Sequence, residues 1–206
     1  MTHLDVELKR LKAETVEMFE LVTHQMKKSQ LAFIGFDREI AREVNFNEKR
    51  VNALELKIDK DCENIFALFN PVAIDLRFVL AVLKINSNLE RIGDIADGIS
   101  RYVIGTGNAF DKELIDVTRV NEMFDMAVKM LSDVQKAFDA EDTKLARGTF
   151  QKDDLLDEIN ENANGVIETY IRTHEQNISQ SLHIISAVRK LERTGDQVKN
   201  VAEEII

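Results

Sequence analysis

The chain holds one proline, one cysteine and no tryptophan among its 206 residues. A lone cysteine, Cys62, excludes an intrachain disulfide and fits a reducing compartment. One proline and eight glycines leave few obligatory breaks, which suits long helices better than turn-rich sheets. No stretch alternates as a strand would, and none is of low complexity. Positive charge is also scarce: 27 Lys and Arg stand against 37 Asp and Glu, a net charge of −10. That balance excludes general nucleic-acid binding, which needs basic surface to displace counterions, and direct docking on an anionic leaflet. The most apolar stretch, Val72 to Ile85, is short and carries Asp75, Arg77 and Lys84, so it predicts no membrane span. The charged N-terminal segment lacks the apolar core of a secretory signal. The expectation is a soluble, cytoplasmic protein.

What is present is repetition. Leu89-Glu90-Arg91-Ile92-Gly93-Asp94 returns as Leu191-Glu192-Arg193-Thr194-Gly195-Asp196, 102 residues later. That is about half the chain and points to an internal duplication. Hydrophobic residues make up 44% of the sequence, enough for a substantial core. Their spacing predicts a long helix from Thr2, with a capping box to Asp5, to about Phe36. A short helix from Asp37 to Val44 and a break at Asn45-Phe46-Asn47 follow. A helix then runs from Asn47 to about Phe69. Asn70 reads as an N-cap and Pro71 as the first position of a third long helix, ending near Ile104. Gly105 to Asn108 is the clearest linker.

The second half repeats the scheme, with helices over Asp111 to Phe138, Asp142 to Phe150, Lys152 to Arg172 and Asn177 to Ile206. Ile206 falls inside a helical pattern with no glycine cap, so either the chain continues or the helix frays. The predicted fold is all-α: two tandem, pseudo-symmetric three-helix bundles over residues 1–105 and 106–206.

Both copies of the hexamer place two acids four residues apart on one helical face, a like-charge arrangement that costs stability. Each half holds a second such pair one helix earlier: Glu55 and Asp59, then Asp153 and Asp157. These are 98 residues apart, which predicts about four extra residues in the second half, in the turn Thr173 to Gln176. If the faces meet, the carboxylates converge on Glu55, Asp59, Glu90 and Asp94 in one bundle and on Asp153, Asp157, Glu192 and Asp196 in the other. Such clusters are relieved by raised pKa values, by Arg or Lys, or by hard cations with oxygen ligands. An isolated pair of this kind is usually a solvated face; four pairs in matching places are less easily dismissed. Gly93 and Gly195 sit in helix interiors, where glycine costs about 1 kcal/mol relative to alanine, and mark a close helix approach or room for a ligand.

Other residues read as structural. His3, His24, His174 and His183 lie outside the acid pairs and complete no Glu-x-x-His di-iron motif. Cys62, Phe66, Phe69 and Phe78 read as core. No phosphate-cradling glycine loop, nucleophile elbow or zinc spacing occurs.

Asn70-Pro71-Val72-Ala73-x-Asp75-Leu76-Arg77, followed by Leu89 to Asp94 and preceded by Glu55-x-x-x-Asp59 and Cys62, resembles the signature of the PhoU family of phosphate-transport regulators. The likeness extends over essentially the whole chain. It implies tandem three-helix bundles whose acidic motifs hold iron or zinc clusters, one site per bundle. Carried over by position, the ligands are Glu55, Asp59, Glu90 and Asp94, and Asp153, Asp157, Glu192 and Asp196. The second half departs from the pattern, because Asn177 to Leu182 stands where a second Pro-x-x-x-Asp-Leu-Arg would fall. The resemblance further implies a non-enzymatic homodimeric adaptor, held at the inner membrane through its partners. Those partners are the ATPase subunit of the phosphate ABC transporter and a sensor histidine kinase, whose starvation response it restrains when phosphate is plentiful. The competing expectation is a carboxylate-ligated metal protein with redox or hydrolytic activity, which needs an open coordination position and a general base.

Overall fold

A computed structural model describes residues 2–206. Helix α1 (His3–Gly35) opens with the expected capping box: Thr2 Oγ1 accepts from the Asp5 N–H and Asp5 accepts from the Thr2 N–H. Phe36, in the left-handed conformation, closes it, and Asp37 at once caps α2 (Arg38–Phe69) through the Glu39 and Ile40 N–H groups. The expected break at Asn45-Phe46-Asn47 does not occur. The Asn45 amide is instead spent on a tertiary bond to Asp97 at 2.8 Å, while Phe46 faces solvent. Asn70 is not an N-cap either. It ends α2 with φ 46°, a conformation asparagine tolerates. Pro71 follows that stop, and α3 (Ala73–Gly105) begins after Val72.

In the second half the single helix expected over Asp111 to Phe138 is divided into α4 (Lys112–Thr118) and α5 (Val120–Ala140). The hinge is Arg119, at φ 54°, whose guanidinium is tied down by Glu122 and Glu158. Nothing in arginine's intrinsic preferences announces this break. Asp142 caps the short α6 (Thr143–Arg147), and α7 (Phe150–Ile171), a 3₁₀ turn and α8 (Ile178–Ile205) complete the chain. Helices α1, α2 and α3 form one bundle; α5, α7 and α8 form the other. The two are joined by α1 packing on α5 and α3 on α8, so one hydrophobic core runs through both.

Burial shows how the halves correspond. The pattern of α1 returns on α5 at a separation of 105 residues, as in Met18/Met123, Phe19/Phe124 and Phe33/Phe138. That of α2 returns on α6 and α7 at the same separation: Ala41/Ala146 on α6, then Val51/Leu156, Ile58/Ala163, Cys62/Ile167 and Ile65/Tyr170 on α7. On α3 and α8 the separation is 102, as in Val82/Ile184, Leu89/Leu191 and Gly93/Gly195. The first half therefore carries three more residues between its second and third helices. This reverses the four extra residues expected in the second half. Contacts across the interface obey the same symmetry. Phe19 meets Phe138 at 5.5 Å between ring centroids, and their counterparts Phe124 and Phe33 meet at 5.8 Å. Each such buried ring contributes roughly 1.5–3 kcal/mol to holding the bundles together.

Candidate metal centre

The first acidic face is built where α2 crosses α3 at Gly93. A Cβ on Gly93 would lie 3.0 Å from Val51 Cγ1 and 3.5 Å from Glu48 Oε2, so the glycine admits both side chains. Glu48 is only 7% exposed, and no amide, hydroxyl or cation donates to either carboxylate oxygen; its polar neighbour is the Asp94 carboxyl. Burial pushes it up to about 7, with Asp94, Asp97 and Glu90 adding like-charge repulsion. Glu90 is raised by burial, then by Asp94 and Glu55; Glu55 is raised by burial and by Asp59.

Of the four acids predicted here, Glu90 and Asp94 thus stand beside Glu48, a residue absent from the predicted set. Glu55 lies further along the face, against Glu90. Asp59 is committed elsewhere: its Oδ1 accepts from the Asn86 amide at 2.9 Å, and that amide also donates to the Glu55 carbonyl at 3.0 Å. Among the described residues no Lys or Arg forms an ion pair with Glu48, Glu55, Asp59, Glu90 or Asp94. The acids share a face without being drawn into a closed set of three or more ligands.

The second face has the same plan with a different occupant. Asp153 on α7 is 2% exposed and sits over Gly195, whose added Cβ would fall 2.1 Å from Asp153 Oδ1. Its Oδ2 is held by the Lys199 ammonium, which also reaches Asp196 Oδ1 at 2.9 Å. Burial raises the Asp153 pKa and the lysine opposes it; Asp157 and Asp196 raise it further. Glu192 is raised by burial, then by Asp196, Asp157 and Asp153. Burial works against the Lys199 charge, but its bonds to Asp153 and Asp196 hold its pKa above the ordinary value.

In the 105-residue register the counterpart of Asp153 is Glu48, and that of Asp157 is Asn52; Glu55 and Asp59 have no acidic counterparts. Matching the acid pairs at 98 residues joined unlike positions. The signal that locates Glu48 is the apolar frame after it, Val51, Ile58 and Ile65, which repeats on α7 as Leu156, Ala163 and Tyr170. All-oxygen donors with a buried, unpartnered carboxylate at their centre fit a hard or borderline cation in the first half. Histidine takes no part in this: His24 is exposed and His183 leans on the Tyr102 ring. Cys62 is buried, as expected, with its thiol pushed up to about 12 by burial and by neighbouring acids. Phe66, Phe69 and Phe78 are half-buried rather than core.

A second surface feature lies at the α2–α3 turn. Leu68, Val72, Ile74, Leu76 and Leu80 are each exposed there, Ile74 at 77%. Several large apolar side chains left exposed at one turn make it a candidate interaction surface. Among the described residues no helix is long and apolar enough to cross a membrane.

The profile of the PhoU domain matches residues 15–103 and again 120–205, one match per bundle. A phosphate-specific transport system accessory protein PhoU homolog from a Burkholderia species is 32% identical over 203 residues, covering 98% of this chain and 86% of that protein. The crystal structure of PhoU from Pseudomonas aeruginosa superposes with a TM-score of 0.89 at 30% identity, covering 99% of this chain and 97% of the other. The phosphate transport system regulatory protein PhoU from Streptococcus pneumoniae gives 0.85 at 26% identity, over 98% and 95%. With both halves matched and the fold shared end to end, the chain belongs to the PhoU family.

Proposed function

We propose that this protein is a non-enzymatic regulator of phosphate uptake. It acts as a cytoplasmic homodimeric adaptor between the ATPase subunit of a phosphate ABC transporter and a sensor histidine kinase, and restrains the starvation response when phosphate is plentiful. The relatives that match it over nearly its whole length are named as accessory and regulatory proteins of phosphate transport. The observation that carries the adaptor role is the group of exposed apolar side chains at the α2–α3 turn, Leu68, Val72, Ile74, Leu76 and Leu80, which neither bundle covers. A net charge of −10 favours a protein partner over nucleic acid or lipid.

The same reading gives the acidic face a purpose. Glu48, Glu90 and Asp94, with Glu55 beside them, would hold iron or zinc. The ion would supply the positive charge that these buried and half-buried acids lack, and would tie α2 to α3. The α3 segment so fixed leads back to the exposed apolar side chains. The decisive test is deletion of the gene in its own host on ample phosphate. Alkaline phosphatase should be derepressed and restored by the wild-type chain, and immobilised protein should capture the ATPase subunit. A normal phosphatase level in the deletion strain would overturn the assignment.

A further inference from the structure

We infer that Lys199 takes the place of a metal ion in the second bundle, so that the chain accepts a cation in its first bundle alone. The inference deepens the metal reading above and rests on it for the first half only.

Of the matched positions at which the two faces differ, two decide the balance of charge around the buried anchor. Lys199 on α8 corresponds to Asp97 on α3, and Asp157 on α7 corresponds to Asn52 on α2. In the first half Asp97 is drawn aside: Arg101 and Asn45 bind its two oxygens at 2.7 and 2.8 Å. No cation then enters the cluster, and the buried anchor Glu48 keeps both oxygens without a donor. In the second half the matching anchor, Asp153, has a cation on one oxygen: Lys199 holds Oδ2, while Oδ1 stays buried without a hydrogen-bond partner. The Lys199 ammonium bridges it to Asp196, joining the acid of α7 to an acid of α8 as a bound ion would. The other Asp153 oxygen is pressed against Gly195.

A divalent ion entering here must displace the ammonium from two carboxylates at once. It must also leave that ammonium beside a like charge, with Asp153 no longer bonded to it. The remaining acids, Asp157 and Glu192, stand on different helices and supply too few oxygens for a tight site by themselves.

The test is Zn²⁺ binding to the full chain by equilibrium dialysis, with Asp94→Asn silencing the first face and Asp196→Asn the second. Tight zinc should vanish with Asp94→Asn and persist with Asp196→Asn. Adding Lys199→Gln to Asp94→Asn should tighten second-face binding at least tenfold. Lys199→Met, which keeps the stem, is the companion variant, and each melt is followed by circular dichroism. Zinc lost on Asp196→Asn, or no gain from either lysine variant, overturns the inference. Should wild type hold no zinc while the lysine variants acquire it, the first-face reading fails and the role of Lys199 stands. A readout on the unaltered protein is acetylation of Lys199 measured by mass spectrometry. Zinc should leave its rate unchanged; acceleration by zinc would show the ammonium being expelled and would contradict the inference.

Discussion

Asp153 is seated directly over Gly195, so closely that a Cβ on the glycine would stand 2.1 Å from the aspartate oxygen and 2.7 Å from Leu156 Cδ1. Alanine in a helix interior normally gains about 1 kcal/mol over glycine. Here the clash overrides it, and Gly195→Ala should destabilise by roughly 1–3 kcal/mol, the usual range for overpacking. Gly93→Ala has one tight contact, Val51 Cγ1 at 3.0 Å, beside an ordinary one to Glu48 Oε2 at 3.5 Å, and should be close to neutral. Gly165→Ala, with nothing within 4 Å, should stabilise by about 0.5–1 kcal/mol. Urea denaturation of the three variants should return that order.

The position of Glu48 predicts an unusual pH dependence in metal-free protein. Its folded pKa, about 7, lies above the ordinary 4.5. The folded state therefore holds the proton more tightly than the unfolded chain does. Stability is full below pH 4.5 and is lost as pH rises through about 7, by on the order of 3 kcal/mol. The raised Glu55, Glu90, Asp153 and Glu192 act in the same direction, each from burial first. Denaturation midpoints measured with a chelator from pH 4.5 to 7.5 should fall steadily. Glu48→Gln should flatten much of that slope and stabilise the protein at the upper end.

The duplication, the helical class and the capping of α1 were legible because each rests on local signals: a repeated hexamer, helical spacing and a Thr-x-x-Asp box. The register between halves was not, because like was matched to like. Glu48 has Asn52 four residues on, so no acid pair advertises it, whereas Glu55/Asp59 forms a pair that faces partly elsewhere. The apolar frame carried the true register: Ala41, Val51 and Ile58 return as the buried Ala146 on α6 and Leu156 and Ala163 on α7. Arg119 and Asn45 mark the other limit. One stands at a helix break with its guanidinium on Glu122, three residues on, and on Glu158 of α7; the other keeps a helix whole because its amide serves Asp97. Neither Glu158 nor Asp97 is visible as a partner along the chain.

The exposed apolar side chains at the α2–α3 turn predict a separation of stability from function. Ile74 and Leu68 are largely exposed, so Ile74→Glu and Leu68→Glu should leave stability within about ±0.5 kcal/mol of wild type. The same substitutions should weaken capture of the transporter's ATPase subunit and fail to restore phosphatase repression in the deletion strain. Full complementation by both would remove the turn from the docking surface.

Glu48 is where register, burial and charge meet, and calorimetric titration of Zn²⁺ into wild-type and Glu48→Gln protein at pH 7 tests it most directly. The wild-type chain should bind zinc and release protons to the buffer, since the ion replaces the proton that Glu48 partly retains at that pH. Glu48→Gln should lose at least tenfold in affinity together with that proton release. Identical isotherms and identical proton release would contradict a metal centre built on Glu48.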